Sequence, residues 1–344
     1  MTRPATTPAT MRVSVLSKPG TLVLEERPVP RPGPGQVLVA VRSVGVCGSD
    51  VHYFEHGRIG GFVVTGPLVL GHEVSGRIAA TGPGVDPGRV GSRVAVEPGT
   101  SCGHCEQCKA GRYNLCPDMQ FFATPPVDGA LAEYVVVRDD LAFDLPDSVS
   151  DDDAALLEPL SVGLWAAAKA QLGPGSAVLI AGAGPIGLVN AQVARARGAT
   201  TIVVSDIAPH RLAAAGRNGA TSAVPASEVA GLGQQFDAFI DCSGAPAAIA
   251  AGLRALRPAG RAVLVGMGPD ELTIPFGVVQ QRELAITGTF RYANTWPAAI
   301  ALAASGAVRL SELVTGRFAL ADSEQALRSV TAEGVIKSVI EPWH

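Results

Sequence analysis

The first part of the chain has the hydrophobic pattern of short β-strands. Between residues 11 and 150, short apolar runs are separated by segments rich in glycine and proline. Turn signals repeated every 10–20 residues or so indicate an all-β barrel or sandwich rather than strands alternating with helices. The predicted strands cover residues 11–16, 37–41, 75–79, 93–96 and 133–137.

A different pattern begins near residue 150. Ser150 precedes three aspartates, and this order favours a helix start, because the serine can cap the helix and the acidic first turn complements its dipole. From residue 177, apolar strands alternate with helices, which predicts a parallel sheet covered on both faces. The predicted strands cover residues 178–181, 201–205, 236–240, 261–265 and 284–286, and the tail after residue 296 lacks the alternation.

Composition and charge narrow the functional class of this 344-residue chain. A net charge of −4 without a basic cluster argues against nucleic acid as a partner. No apolar run approaches the roughly 18–20 residues of a membrane helix, so no membrane partner is expected. Residues 1–10 lack the apolar core of a secretory signal and predict a disordered extension. We therefore expect a cytoplasmic protein whose six cysteines are reduced and available for metal binding or catalysis.

A glycine-rich turn in the second part carries a nucleotide-binding signature. A GxGxxG motif lies between a predicted strand and a predicted helix, and an aspartate ends the next strand. In this context the glycines allow the turn, the approach of a pyrophosphate and close helix packing. The aspartate binds ribose hydroxyls and repels a 2′-phosphate, which favours NAD, although a nearby arginine keeps NADP open. The predicted cofactor-binding residues are Gly182, Gly184, Pro185, Ile186, Gly187, Asp206 and Arg211.

Four cysteines lie in one short segment with the spacing C-x2-C-x2-C-x7-C. Four thiolates in a reduced protein suit a closed tetrahedral Zn²⁺ site, which serves structure. The bacterial iron–sulfur pattern has three residues before its last cysteine, not seven. An iron–sulfur cluster, disulfides and free thiols are the alternatives. The predicted structural zinc ligands are Cys102, Cys105, Cys108 and Cys116.

A second set of metal-ligand residue types is dispersed along the chain. Cys47, His72 and Glu73 together suit a three-ligand catalytic zinc with an open position for water or substrate. Glu158 stands in an apolar helical run before a proline, and a buried carboxylate needs a partner. We expect that partner to be the metal or a water on the metal, with a solvated helix face as the alternative.

The chain resembles the zinc-dependent medium-chain dehydrogenases, in the branch of sorbitol and xylitol dehydrogenases. The resemblance extends over nearly the whole chain after residue 11. The segments that carry it are residues 45–53, 57–60, 70–73, 123–126, 158–163, 181–187 and 290–297.

This resemblance implies an α/β protein with two domains. A GroES-like β-barrel catalytic domain is expected over residues 11–157 and 297–344, and a Rossmann NAD-binding domain with a doubly wound parallel sheet over residues 158–296. It also implies that Ser49 and His52 relay a proton. The residues it places around the substrate are Tyr53, Ile59, Phe121, Glu158, Arg291 and Tyr292. Similar enzymes are usually tetramers, so a homotetramer is expected.

The expected activity is NAD-dependent oxidation of a sugar alcohol to the ketose. Zinc lowers the pKa of the substrate hydroxyl, and the carbon then gives a hydride to the nicotinamide. One alternative is another zinc dehydrogenase of this family, acting on threonine, butanediol or a simple secondary alcohol. The other is a non-catalytic sensor that binds zinc and nucleotide.

Overall fold

A computed structural model describes residues 7–344 and contains twenty strands and ten α-helices. The strands are β1 Thr10–Lys18, β2 Thr21–Pro28, β3 Gln36–Gly45, β4 Arg58–Ile59, β5 Phe62–Val63, β6 Leu68–Val69, β7 Glu73–Thr81, β8 Arg93–Val96, β9 Gly99–Thr100, β10 Gln120–Phe121, β11 Tyr134–Arg138, β12 Ala142–Asp144, β13 Ala177–Ala181, β14 Thr201–Asp206, β15 Ser222–Pro225, β16 Phe236–Asp241, β17 Leu256–Leu264, β18 Ala285–Gly288, β19 Val314–Ala319 and β20 Lys337–Glu341. The helices are α1 Gly48–His56, α2 Glu106–Lys109, α3 Asp151–Ala155, α4 Leu157–Lys169, α5 Pro185–Ala196, α6 Pro209–Arg217, α7 Pro246–Ala255, α8 Phe276–Gln281, α9 Trp296–Ala304 and α10 Ser323–Ser329.

The chain divides into two compact units. The first contains the described residues up to Glu158 and Leu310–His344, and the second contains Pro159–Arg309. The second unit therefore includes the whole of α9, whereas the domain boundary predicted between residues 296 and 297 would divide this helix. Its end is held by Gln192 in α5, which accepts a hydrogen bond from the Arg309 amide at 2.6 Å.

Most strand pairs of the first unit are antiparallel, in agreement with the turn-rich pattern of its sequence. Its largest sheet contains seven strands in the order β12-β8-β7-β3-β20-β19, with β11 also pairing with β3. A smaller sheet has the order β2-β1-β6. Valines of β3 and β7, among them Val39, Val41 and Val74, are fully buried in the hydrophobic core of this unit.

The second unit is a doubly wound parallel sheet, as predicted. Its six strands have the order β15-β14-β13-β16-β17-β18. Numbered within this unit the order is 3-2-1-4-5-6, the Rossmann arrangement, whose ligand crevice opens at the carboxyl ends of the central strands. The apolar runs of β13 and β16 are buried because helices cover a parallel sheet on both faces.

Several elements differ from the prediction. The tail after residue 296 does alternate: β19, α10 and β20 form a strand–helix–strand unit with parallel strands. Strand pairing also begins before residue 11, because Thr10 opens β1 and the Val29 amide donates to the Ala9 carbonyl. Residues 1–6 of the predicted extension lie outside the described part of the chain. Among residues 7–344, no helix has the length and apolar character that a bilayer crossing requires.

Candidate functional site

Strand pairing in the first unit brings Cys47, His72 and Glu73 together. Cys47 follows β3 and caps α1, and His72 stands immediately before β7. The two strands are antiparallel, and their register sets Gly45 opposite Glu73. One sulfur, one ring nitrogen and one carboxylate oxygen consequently lie within 4.8 Å of one another. We call these residues the three-residue cluster.

The three-residue cluster fits a zinc ion. Its donors are one sulfur, one nitrogen and one oxygen, a set that three-ligand catalytic zinc sites use. The carboxylate of Glu73 is buried, and both of its oxygens lie 2.6 Å from Nζ of Lys337. Gly45 makes the space for it, since a Cβ at that position would overlap Oε2. An ionised carboxylate has about four lone-pair sites, so Glu73 can pair with the ammonium and still offer an oxygen to a metal.

Asp50, which the sequence reasoning did not single out, orients the cluster. It lies in the first turn of α1, where it accepts hydrogen bonds from the Gly71 amide at 2.9 Å and the Cys47 amide at 3.1 Å. Its Oδ1 is 3.5 Å from Nδ1 of His72. Burial lowers the pKa of His72, but the charges of Asp50 and Cys47 outweigh this and hold it well above its usual range. The sequence signal is the aspartate three residues after the capping residue.

Lys337 was also missed. It is buried at the start of β20, and its Nζ donates to the Val46 carbonyl at 2.8 Å and to Glu73 Oε1 at 2.6 Å. Burial lowers the pKa of Lys337, but Glu73 and Cys47 outweigh it and raise the pKa above its usual value. The available signal was a lysine inside the largely apolar segment of residues 335–340, in a chain with only four lysines.

Glu158 is buried in the first turn of α4, where its charge acts on Lys337. The apolar run around Glu158 is divided between two helices. Helix α3 ends at Ala155 and α4 begins at Leu157, so Pro159 falls in a first turn, where proline is tolerated. Ser150 caps α3 as predicted, accepting a hydrogen bond from the Asp153 amide.

Glu97 is a further buried carboxyl in this unit. It follows β8 and accepts a hydrogen bond from the Tyr113 hydroxyl at 2.8 Å. Burial raises its pKa to about 7, and the charges of Asp140 and Glu158 act in the same direction. At neutral pH this carboxyl is therefore partly protonated, unlike an ordinary glutamate.

The predicted relay residues of the first unit lie on α1, and one predicted substrate residue contacts the three-residue cluster. Ser49 and His52 are both on α1, three positions apart and so on the same side of the helix. Phe121 stacks beside His72, with ring centroids 5.6 Å apart. Tyr53 is buried in the core of the unit, and Ile59 packs against that core. Their roles toward a substrate remain predictions.

The four cysteines of residues 102–116 form a second cluster, the four-cysteine cluster. Their sulfur atoms lie within 4.8 Å of one another. Amides of the same segment donate to the sulfurs, Cys102 to Cys116 and Cys105 to Cys102, both at 3.4 Å. Desolvation raises the pKa of Cys108, but hydrogen bonds from Ser101 and Cys105 bring it down to about 7. Grouped sulfurs with inward amides fit a thiolate-bound metal.

The second unit carries the predicted nucleotide turn. Gly182 has φ +95°, which a side chain would strain, and a Cβ at Gly187 would overlap the Gly182 carbonyl. Gly184 caps α5 with Pro185 as its first residue, so the helix amino end opens at the turn. The tight turn at Gly182, the helix start at Gly184 and the close packing at Gly187 are the features that a dinucleotide-binding turn requires.

Asp206 ends β14 beside this turn. Its Oδ2 accepts the Ala183 amide at 2.7 Å and its Oδ1 accepts the Ala208 amide at 2.8 Å. The Arg211 guanidinium reaches toward Gly184, at 4.0 Å from where its Cβ would stand. An acidic and a basic side chain therefore both border the turn.

Arg291 and Tyr292 belong to the second unit. The Arg291 guanidinium lies over the Phe290 ring at 4.7 Å from its centroid, and Tyr292 is buried against Trp296. Their predicted contact with substrate therefore remains a prediction.

Two family models match this chain. Residues 33–147 match the alcohol dehydrogenase GroES-like domain, and residues 185–305 match the zinc-binding dehydrogenase family. The first match lies within the β-rich unit and the second within the parallel-sheet unit.

Individual relatives match along most of their length. A sorbitol dehydrogenase of Bacillus subtilis is 46% identical over 332 residues, covering 94% of each chain. A probable D-xylulose reductase A of Aspergillus fumigatus is 45% identical over 330 residues, covering 92% of each chain. A solved structure described as a short chain alcohol dehydrogenase of Escherichia coli, complexed with NADH, has a TM-score of 0.90 and 30% identity, covering 97% of this chain and 100% of that one.

Proposed function

The chain belongs to the zinc-binding dehydrogenase family, in its sorbitol and xylitol dehydrogenase branch, and we propose that it oxidises a sugar alcohol to the ketose with NAD⁺ as hydride acceptor. Sequence identity of about 45% to a sorbitol dehydrogenase and a D-xylulose reductase over nearly their whole length supports this class. The observation that carries the proposal is the convergence of Cys47, His72 and Glu73 on one point of the β-rich unit.

In this proposal Cys47, His72 and Glu73 hold the catalytic zinc, and Asp50 keeps the His72 ring oriented by accepting from Nδ1. Glu158 either ligates the metal or binds water beside it. When bound, zinc acts as a Lewis acid that lowers the pKa of the substrate hydroxyl. If Glu158 is bound through water, the three donors would leave a position at which the substrate hydroxyl could bind.

Ser49 and His52 take the substrate proton to solvent. The Ser49 hydroxyl lies one residue beyond the capping residue of α1 and would accept the alcohol proton while passing its own proton toward the ribose or His52. His52 is exposed on the same side of the helix, where its imidazole can pass the proton to water. Tyr53, Ile59, Phe121, Arg291 and Tyr292 are the proposed substrate contacts.

NAD⁺ binds at the glycine turn of the second unit in this proposal. Its pyrophosphate lies at the start of α5, along Gly182, Gly184, Pro185, Ile186 and Gly187, and Asp206 accepts from the ribose hydroxyls. When bound, the nicotinamide accepts the hydride from the alcohol carbon. Arg211 borders the same site, so Asp206→Ser is expected to increase use of NADP, measured as the NADP-to-NAD ratio of kcat/KM.

The four cysteines of residues 102–116 hold a structural zinc in this proposal, since four thiolates leave no open position. Free thiols in this segment also fit a reducing compartment, and we propose a cytoplasmic protein.

We further propose a homotetramer. The outer strand β18 pairs with β17 alone, and Phe276 and Phe290, also in the second unit, are exposed apolar residues that a partner subunit would cover. Light scattering on the purified protein tests the tetramer.

The test of function is NADH absorbance with zinc-loaded protein and a panel of sorbitol, xylitol, arabinitols, threonine, butanediol and ethanol. NADH formation with polyols but not with the other alcohols supports the proposal. Activity on threonine or butanediol alone would keep the zinc and cofactor assignments and overturn the substrate class. Silence on the whole panel, with zinc and NAD⁺ bound, would indicate a sensor.

A further inference from the structure

A buried cation already occupies one side of the carboxylate to which the proposed zinc would bind. Nζ of Lys337 lies 2.6 Å from both Oε1 and Oε2 of Glu73, and both side chains are almost inaccessible, 3% and 1% exposed. An isolated charge at such a depth is very unfavourable, so each group depends on the other. Glu73 is thus fully paired before any metal arrives.

The backbone holds this pair rigidly. Strand β20 pairs with β3 so that Val339 faces Gly45, and the Val46 amide donates to the Ser338 carbonyl at 2.9 Å. Lys337 is thereby fixed beside the segment that leads into Cys47. Its ammonium also donates to the Val46 carbonyl. On the other side, only a glycine at position 45 leaves room for the carboxylate.

The charges around Lys337 belong to the same cluster. Cys47 and Glu158, besides Glu73, act electrostatically on its ammonium. In the absence of a metal, this one buried lysine therefore balances several groups that are anionic when ionised. A zinc ion bound at Cys47 and His72 needs an oxygen of Glu73 and stands close to a second positive charge. Zinc and the ammonium consequently compete for one carboxylate.

We propose that Lys337 is a placeholder cation, which stabilises the metal-free cluster by pairing with Glu73 and which weakens zinc binding there by the same interaction. This inference rests on the proposed zinc site at Cys47, His72 and Glu73. Lys337 is a positioning residue, since it acts through Glu73. The device lets the β-rich unit stay folded without its catalytic metal and keeps that metal exchangeable.

The test compares Lys337→Met with the wild type in zinc-loaded and metal-free forms. Methionine keeps the length of the side chain and removes the charge. We expect the thermal midpoint of the metal-free variant to fall by about 10 °C, because Glu73 loses its partner. The zinc-loaded variant should fall by a few degrees only, since zinc replaces the lost charge. Equal falls in both forms would show a merely structural role and overturn the proposal.

Zinc affinity provides the second readout. Competition with a chelator should show that the Lys337→Met variant binds zinc at the three-residue cluster about tenfold more tightly than the wild type. This follows by linkage, because a substitution that destabilises the metal-free form more than the zinc-loaded form must strengthen zinc binding. Zinc at the four-cysteine cluster is measured separately in Cys47→Ser protein and subtracted. Unchanged or weaker zinc binding by the Lys337→Met variant would contradict the competition.

Two further variants keep the test interpretable. Lys18→Met removes the same charge from an exposed position of β1, and it should change neither readout.

If the metal-free Lys337→Met protein does not fold, the double variant Glu73→Gln/Lys337→Met should restore folding without metal, because no unpaired carboxylate remains. Failure of this double variant to exceed the single variant in metal-free stability would overturn the proposal. None of these readouts uses polyol turnover, so the activity panel tests the proposed function independently.

Discussion

The four-cysteine cluster takes all its sulfur atoms from residues 102–116, whereas the three-residue cluster takes its atoms from the ends of two paired strands. The first is organised by amides of its own segment. In the second, His72 and Glu73 are buried, and the cluster depends on Asp50 in the first turn of α1 and on Lys337, which is distant in sequence. The contrast separates a site that local spacing specifies from one that the whole β-rich unit assembles.

The largest effect is expected from removing a ligand of the three-residue cluster. Cys47→Ala or His72→Ala should lower kcat/KM by roughly a thousandfold or more, because Lewis-acid stabilisation by the metal amounts to several kcal/mol. NAD⁺ binding, measured by fluorescence titration, should stay within about twofold of wild type. Near-normal turnover in either variant would remove these residues from the metal site.

Removing a ligand of the four-cysteine cluster should act on stability instead. Cys108→Ser is expected to lower the thermal midpoint by about 5–10 °C, since a structural metal contributes its binding free energy to folding. At 25 °C the turnover per folded molecule should remain within about threefold of wild type. A loss of turnover comparable to that of Cys47→Ala, with the midpoint unchanged, would erase the distinction between the two clusters.

Asp50 gives a smaller and sharper test of long-range assembly. Asp50→Asn keeps the shape of the side chain but weakens its hold on the His72 ring. We expect a loss of about 10–100-fold in zinc affinity at the three-residue cluster, measured by chelator competition. Zinc content of the four-cysteine cluster should not change. Unaltered affinity at the three-residue cluster would show that His72 is oriented by packing alone, for example against Phe121.

An effect on stability that depends on pH is expected at Glu97, whose pKa is raised to about 7 by burial. The pKa of Glu97 is higher in the folded protein than its reference value of 4.5, so its protonated form favours the folded state. The resulting contribution to the free energy of unfolding is complete below pH 4.5 and is lost as the pH rises through about 7. Glu97→Gln should therefore match wild-type stability near pH 5 and exceed it at pH 8, by at most about 3 kcal/mol.

The thermal midpoints of wild type and Glu97→Gln at pH 5 and pH 8 check this expectation. Tyr113→Phe is a useful control, because it removes the hydrogen bond to Glu97 and leaves the carboxyl in place. A constant difference between Glu97→Gln and wild type across this range would mean that Glu97 titrates as an ordinary carboxyl.

The predicted strands show how far local pattern reaches. The apolar runs of β13, β14 and β16 were located correctly, because fully buried parallel strands are continuous in hydrophobicity. The strand–helix–strand unit of the tail was missed. Its β19 is half-exposed and its helix α10 is only seven residues long, so neither produces a strong periodic signal.

What the sequence determined by itself is the chemistry that depends on neighbours along the chain. The spacing of Cys102 to Cys116 and the glycines from 182 to 187 specify their geometry within one turn or loop, so the motifs could be identified directly. The tertiary structure alone decided which charge faces Glu73. Lys337 is 264 positions away and reaches it only because β20 pairs with β3, and such pairing depends on the packing of the whole sheet rather than on any local pattern.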